Sequence, residues 1–343
     1  MKITSIVTAA ALSLASSVMG QSTCNEFSPC FREGYCDSSA MFCLWDLCDP
    51  VKSYNSTSCW QPEGCISRTV DFDSSSDAIG INAYQGNPQT NKFLSVFEPN
   101  NVSVESGNMV LKMTYDAPNN KGFGATAKSS STIHYGRVTA RIKTASVATG
   151  VVTSFIIINE QTGDEIDFEW VGKDPAQVQT NYYYQKELDY TKMTAYSMAD
   201  TSAEYHDYTI DWSEDKITWL VDNKPIRELK RQDTFDAQSN VYKYPTTEGR
   251  VAFGIWDGGN SGAQGTQEWS GYPTPWTPST VYQAFVDKVT IECAGGSSQP
   301  TDGGEQPTGG EQPTGGEQPG ETGKDGDVSS STAVEPPKCR PRY

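Results

Sequence analysis

Thr162 to Gly172 reads TGDEIDFEWVG, and within it residues two apart share a character. Glu165, Asp167 and Glu169 take one side of the alternation, and Ile166, Phe168 and Trp170 take the other. Successive side chains of a strand point to opposite faces, so the pattern predicts a strand with one apolar and one triply acidic face. Carboxylates set side by side repel, so a row of three asks for a use. A solvated acidic face on an edge strand is the plain alternative. The size of the apolar face, and flanking segments that read as interior, argue against it.

The segments around this strand alternate or carry β-branched and aromatic residues. NMVLKMTY, GRVTARIKT and VVTSFIIIN precede it; VQTNYYYQ, HDYTIDWS, KITWLVD, RVAFGIW and FVDKVTIEC follow. Turn signals at Asp222-Asn223, Asp257-Gly258-Gly259 and Pro273 to Pro278 separate them. No segment of helical period and length competes. Many short strands at this spacing predict an all-β, antiparallel sandwich over residues 67–293, long enough for one buried core.

The acidic row suits cleavage of a glycosidic bond with retention, which needs two carboxyl groups about 5–5.5 Å apart. Backbones four residues apart on a strand are about 13 Å distant. Two long Glu side chains must therefore lean inward over a shorter Asp, across a hollowed sheet. That gives the order Glu, Asp, Glu a physical sense. With one carboxylate ionised, a neighbouring carboxyl holds its proton more tightly. Glu165 is expected as nucleophile, Glu169 as acid/base, and Asp167 as the helper that hydrogen-bonds Glu165.

The N-terminus sets the compartment. Lys2, a short apolar run to Leu14 and SVMGQS predict a signal peptide over residues 1–20, cut before Gln21. The run is shorter than the roughly 20 residues a membrane span needs. No later stretch reads as a span, so a secreted chain is expected. Of nine cysteines, seven lie between Cys24 and Cys65, with Cys293 and Cys339 far beyond. In an exported chain the cluster over 21–66 reads as a disulfide framework, with a zinc site as the rival and the pairing open. Sequons at Asn55 and Asn101 are candidate glycosylation acceptors. From Gly303 to Gly320 the chain repeats GGEQPT, and 294–343 reads as a disordered stalk. The terminal KCRPRY carries no glycolipid-anchor signal.

A formal charge of −17 excludes nucleic acid and anionic lipid as natural partners. Plentiful Tyr, Trp and Phe suit neutral, hydroxyl-rich ligands, sugars first. No metal-ligand cluster, nucleotide motif or other cofactor signature appears, and a monomer is expected.

DEIDFEW resembles the active-site strand of glycoside hydrolase family 16 in its regular-strand form. HYGRVTARIKTA, VVTSFIIIN, VQTNYY, HDYTIDWSEDKITWLVD and GIWDGGN…GTQEWSG match in order. Together, over about 70–290, they resemble the fungal Crh subgroup, cell-wall transglycosylases that join chitin to β-glucan. The resemblance implies a concanavalin-like β-jelly-roll, retaining chemistry by Glu165, Asp167 and Glu169, and partners in chitin and β-glucan. It also implies sugar contacts at Glu169, Trp256 and Thr266. Relatives often carry a long polar residue four positions before that tryptophan, where this chain has Ala252. Tyr182, Tyr184, Trp269 and Trp276 are candidates to extend a cleft or to fill the core, while His134 and His206 read as packing residues.

CFREGYCDSSAMFCLWDLC resembles the hevein-type, family 18 chitin-binding module, with Tyr35 and Phe42 in matching aromatic positions. It departs at Phe31, at Glu33 and in lacking the paired cysteines, so chitin binding and a purely structural clasp both stand for the head. For the whole chain, a hydrolase of the same chemistry and a non-catalytic lectin are the alternatives to a transglycosylase.

Overall fold

The computed structural model describes residues 24–61 and 63–295, which form two units dividing after Pro62. The segments read as signal peptide and stalk, and Cys339, lie outside the described residues.

The first unit has little regular structure. Cys30–Arg32 and Tyr35–Asp37 form a hairpin, followed by one helical turn, Ala40–Cys43. Its six cysteines pair Cys24–Cys36, Cys30–Cys43 and Cys48–Cys59, with Cys30, Cys43, Cys48 and Cys59 at its centre. A segment this short cannot bury enough apolar surface alone, and cross-links take the place of a core. The seventh clustered cysteine, Cys65, belongs to the second unit and bonds Cys293.

The second unit is the sandwich. Among the described residues one sheet has eight strands and the other nine. All nine segments read from the sequence as strands are strands. The eight-stranded sheet runs, in spatial order, Thr194–Ser197, Gln177–Tyr183, Glu165–Val171, Val151–Ile158, Gly249–Asp257, Ala125–Ile133, Phe93–Phe97 and Ala78–Gly80. Only the last pairing is parallel. The opposing sheet is built on Lys224–Lys230, Lys216–Val221, His206–Trp212, Gly136–Lys143, Val281–Cys293, Asn108–Asp116 and Val102–Glu105, with Arg68–Val70 and Lys121–Phe123 paired at its flank. Ala125–Ile133 escaped the sequence reading because AKSSST shows no alternation of hydrophobicity. A seven-residue helix, Gln264–Ser270, was likewise too short to carry a period.

Between the sheets lies one apolar core. On the central strands Ile166, Phe168, Trp170, Phe155 and Phe253 face inward. Phe253 stacks on Phe155 and Phe155 on Phe168, at 5.2 and 5.9 Å between ring centres. Trp170 meets Tyr208 of the opposing sheet edge-on at 4.6 Å. Each buried large side chain stabilises the fold by roughly 1.5–3 kcal/mol. The even residues of the acidic stretch are thus held by the interior, which forces the odd ones outward. No helix among the described residues is long and apolar enough to cross a membrane.

Candidate active site

The strand Glu165–Val171 pairs antiparallel with both neighbours, without a register shift in either ladder. An unbroken register preserves the alternation, so Glu165, Asp167 and Glu169 share the face turned away from the core. Tyr183, Asn181 and Gln179 stand opposite them on one side, and Ile158, Ile156 and Ser154 on the other. All three acids are buried, Asp167 most deeply: relative exposures are 8% for Glu165, 1% for Asp167 and 6% for Glu169. They lie neither within the apolar interior nor in open solvent.

The site is braced at its entry. Asp164, immediately before Glu165, is buried, and its Oδ2 accepts hydrogen bonds from the N–H groups of Thr246 (2.9 Å) and Thr247 (3.0 Å) and from Thr247 Oγ1 (2.9 Å). Its Oδ1 accepts from Gln185 N–H at 3.1 Å. In the preceding turn, Asn159 Oδ1 accepts from the N–H groups of Gln161 and Thr162, both at 3.0 Å, while its Nδ2 donates to Glu248 O at 2.7 Å. The carboxylate strand therefore starts from a point tied to two other loops.

A second brace comes through the core. Trp219, on the opposing sheet, donates its indole N–H to the main-chain carbonyl of Asp167 at 3.0 Å. The Arg227 guanidinium lies over the Trp219 ring at 4.6 Å and donates to Thr180 O at 2.8 Å. Burial lowers the Arg227 pKa, and the negative charge of Asp167 acts against that shift. A cation is thus held behind the acidic row. Nothing in the linear order marks this cation, because Arg227 lies in an edge strand rich in mixed charge.

Of the sugar contacts implied by resemblance, Trp256 lies on the carboxylate face, two strands and one row from Glu169. It stacks on Trp269 at 5.7 Å, and both pack on Val152 and Val171. Trp269 donates its indole N–H to Gln179 Oε1 at 2.7 Å, and Gln179 is the residue opposite Glu169. Thr266 is buried in the same short helix as Trp269. The structure therefore brings Glu169, Trp256, Trp269 and the Thr266 helix to one end of the acidic row.

The remaining aromatics divide. Tyr182 faces the core. Tyr184 lies in the turn that follows its strand. Trp276 stacks on Tyr115 and donates to Asp257 Oδ2 at 3.0 Å. His134 is bonded to Thr246 O and His206 to Asp222, as packing residues would be. Gln179, Asn181 and Tyr183 went unassigned in the sequence, although their own period of two in QVQTNYY was the signal that would have found them.

In the head, Tyr35 is 73% exposed, whereas Phe42 is partly buried against the cystine core. Asn55 is exposed, its Oδ1 accepting from Thr57 N–H at 2.9 Å. Asn101, the other sequon asparagine, is only 9% exposed and donates from Nδ2 to the carbonyls of Phe123 (3.0 Å) and Gly124 (3.1 Å), so in the fold its amide nitrogen is engaged with the main chain.

An antiparallel sandwich with Glu, Asp and Glu on the solvent-side face of an unbroken central strand defines a class, the retaining glycan-cleaving sandwiches. The family model for glycosyl hydrolases family 16 matches residues 89–290. The chain belongs to that family. It is similar to Congo red hypersensitive protein 2 of Saccharomyces cerevisiae, 37% identical over 79% of this chain and 57% of that protein. It is also similar to Crh-like protein 2 of Aspergillus fumigatus, 37% identical over 79% of this chain and 61% of the relative. The chain thus spans about three fifths of the length of these relatives. Among solved structures, apo Crh5 transglycosylase superposes with a TM-score of 0.55 at 27% identity, covering 68% of this chain and 87% of its own. That transglycosylase is also known in complex with NAG. The Bacillus licheniformis β-glucanase follows at 0.51 and 26%, covering 68% and 99%.

Proposed function

We propose that the chain is a secreted retaining transglycosylase that cleaves chitin and passes the fragment to β-glucan or chitin in a cell wall. One observation carries the chemistry: the full Glu–Asp–Glu set lies on one face of a regular strand, buried yet outside the core. A lectin has no need of such a row. The likeness to Crh proteins and to the Crh5 transglycosylase supports the choice of glycan and of transfer.

The reaction runs in two displacements. Glu169 gives its proton to the glycosidic oxygen as the Glu165 carboxylate attacks the anomeric carbon, the C–O bond breaks and a glycosyl ester forms on Glu165. A sugar hydroxyl then attacks the same carbon, Glu169 takes the hydroxyl proton, and Glu165 leaves as a carboxylate. Asp167 fixes and tunes Glu165 between the steps. The Trp256–Trp269 pair offers a ring face to a sugar near Glu169, and Thr266 a hydroxyl partner. The exposed Tyr35 of the head serves as a stacking platform for chitin, and Asn55 takes a glycan.

The test incubates purified protein with chitin oligomers and a fluorescent glucan or chitin acceptor. Growth in mass of the labelled acceptor supports transfer. Shortened products alone assign a hydrolase, and binding without turnover assigns a lectin.

A further inference from the structure

On the edge of the opposing sheet the described residues form an open groove of about 450 Å³ that the mechanism does not use. Asp215, Lys216, Lys230, Arg231, Gln232 and Tyr242 line it. They come from the turn joining His206–Trp212 to Lys216–Val221, from the end of the edge strand Lys224–Lys230 and the turn after it, and from a small hairpin that pairs Phe235–Asp236 with Val241–Tyr242. None of the six belongs to the sheet that carries Glu165, Asp167 and Glu169. The volume lies within the about 300–1,000 Å³ usual for small-molecule sites, which is room for a length of chain rather than for one ion.

Charge and hydrogen bonding decide what such a groove can hold. Each cation already faces a carboxylate: Lys216 lies 3.1 Å and Lys230 3.9 Å from Glu228, and Arg231 lies 3.4 Å from Glu214. With Asp215 the charges balance, so the groove exerts no net pull on an anion. Other lining groups are open to a new partner. The side chains of Asp215 and Gln232 and the Tyr242 hydroxyl make no hydrogen bond among the described residues, and Arg231 Nε is buried without an acceptor. A carboxylate, an amide, a guanidinium N–H and a phenol together satisfy hydroxyls as donors and as acceptors. Tyr242 and Phe235 pair across the hairpin with ring centres 5.1 Å apart, yet they are 43% and 47% exposed. The hairpin is held in advance: Asp236 accepts from Gln238 N–H at 2.9 Å and Ser239 Oγ at 2.7 Å, and Lys243 bridges Asp236 and Glu187 at 3.2 and 2.7 Å. A rigid aromatic held out beside unused polar groups matches a sugar, whose ring faces are C–H and whose rim is hydroxyl.

We propose that this groove is an accessory glycan site, which holds a segment of neutral polysaccharide apart from the catalytic cleft. The inference rests on the glycan reading above and adds a second point of attachment to it. Tyr242 supplies the ring face, while Asp215, Gln232 and Arg231 take hydroxyls. From Tyr242 the chain runs on to Thr246 and Thr247, whose N–H groups hold Asp164 beside the nucleophile, so one loop joins the groove to the entry of the acidic strand. A polymer held here stays near the cleft after an end is released, at an effective concentration set by the length of chain between the two places.

Hydrogen exchange read by mass spectrometry locates binding peptide by peptide. The full chain carrying Glu165→Gln, so that sugar is not consumed, is titrated with laminarihexaose and with chitohexaose. At least one of them should slow exchange over residues 231–243 with a Kd of about 1 mM or tighter, and the tighter one names the preferred polymer. Tyr242→Ala and Gln232→Ala, both at exposed positions, should each raise that Kd about threefold to tenfold. Near-ultraviolet circular dichroism of each variant establishes its folding. Protection over residues 165–183 with none over 231–243 overturns the inference and leaves the glycan reading standing, and an unchanged Kd in both folded variants overturns it equally. Protection over 231–243 alone upholds the groove and overturns the reading of the cleft, whereas protection at neither place overturns both.

Discussion

At the scale of single residues, the division of labour along the acidic row makes separable demands. On the proposed assignment Glu165→Gln removes the nucleophile and Glu169→Gln the proton donor, and each should lower turnover by about a thousandfold or more with folding intact. Asp167→Asn keeps shape and hydrogen bonding while losing charge, and a drop of about tenfold to a hundredfold in kcat is expected. Full activity in Glu165→Gln would reverse the assignment of roles. Asp164 touches no reacting atom, so Asp164→Ala should act through position: kcat falls about tenfold while KM stays near its wild-type value. A rise in KM at constant kcat would place its effect in ground-state binding instead. Asn101→Ala should lower stability by about 1–3 kcal/mol, since two buried carbonyls lose their donor. Peptide mass analysis of the purified protein should show no glycan at that position.

These same residues mark what a linear reading can and cannot see. The acidic row was legible because the period of a strand is written into the order of its own residues, and the core and cleft faces follow from it. Asn101 looked like an acceptor because a sequon spans three residues, whereas its burial is decided by carbonyls more than twenty positions away. Lys128 sits in a serine-threonine run without periodicity, and its ion pair with Glu160 exists only once the strands are paired. Trp269 and Tyr182 looked alike in sequence. One faces the cleft and the other the interior, a distinction that depends on strand register and on a helix too short to announce itself.

Among the elements, the carboxylate strand is the one that must not move. Unbroken ladders hold it on both sides, and Trp219 holds it from beneath through the Asp167 carbonyl. Trp219→Phe keeps an aromatic ring in the core but deletes the N–H. Stability should fall by about 1–3 kcal/mol, and kcat should fall with it while KM changes little. Thermal unfolding with steady-state kinetics on the same preparation separates the two effects. An unchanged kcat in a destabilised variant would make Trp219 a core residue and nothing more. The nine strands read from sequence were those whose alternation or β-branching was local. Ala125–Ile133 had neither and is a strand because its neighbours make it one.

For the whole molecule, the Cys65–Cys293 bridge closes a ring with a sequence separation of 228. In the chain-entropy view such a closure disfavours the unfolded state by about 5 kcal/mol. The double substitution Cys65→Ser, Cys293→Ser should therefore lower Tm by on the order of 10 °C or more, while activity at room temperature persists. An unchanged Tm would mean that the unfolded chain is already held compact by other means.

The same bridge brings the two points at which the chain enters and leaves the sandwich to a Cα separation of 5.8 Å. Tension applied between the preceding and following segments would pass from one sulfur to the other and never load the ladders. Stretched as a tether, the protein should keep its catalytic sheet folded under pulling forces, and should yield as an extensible spring only after a reductant has opened that link.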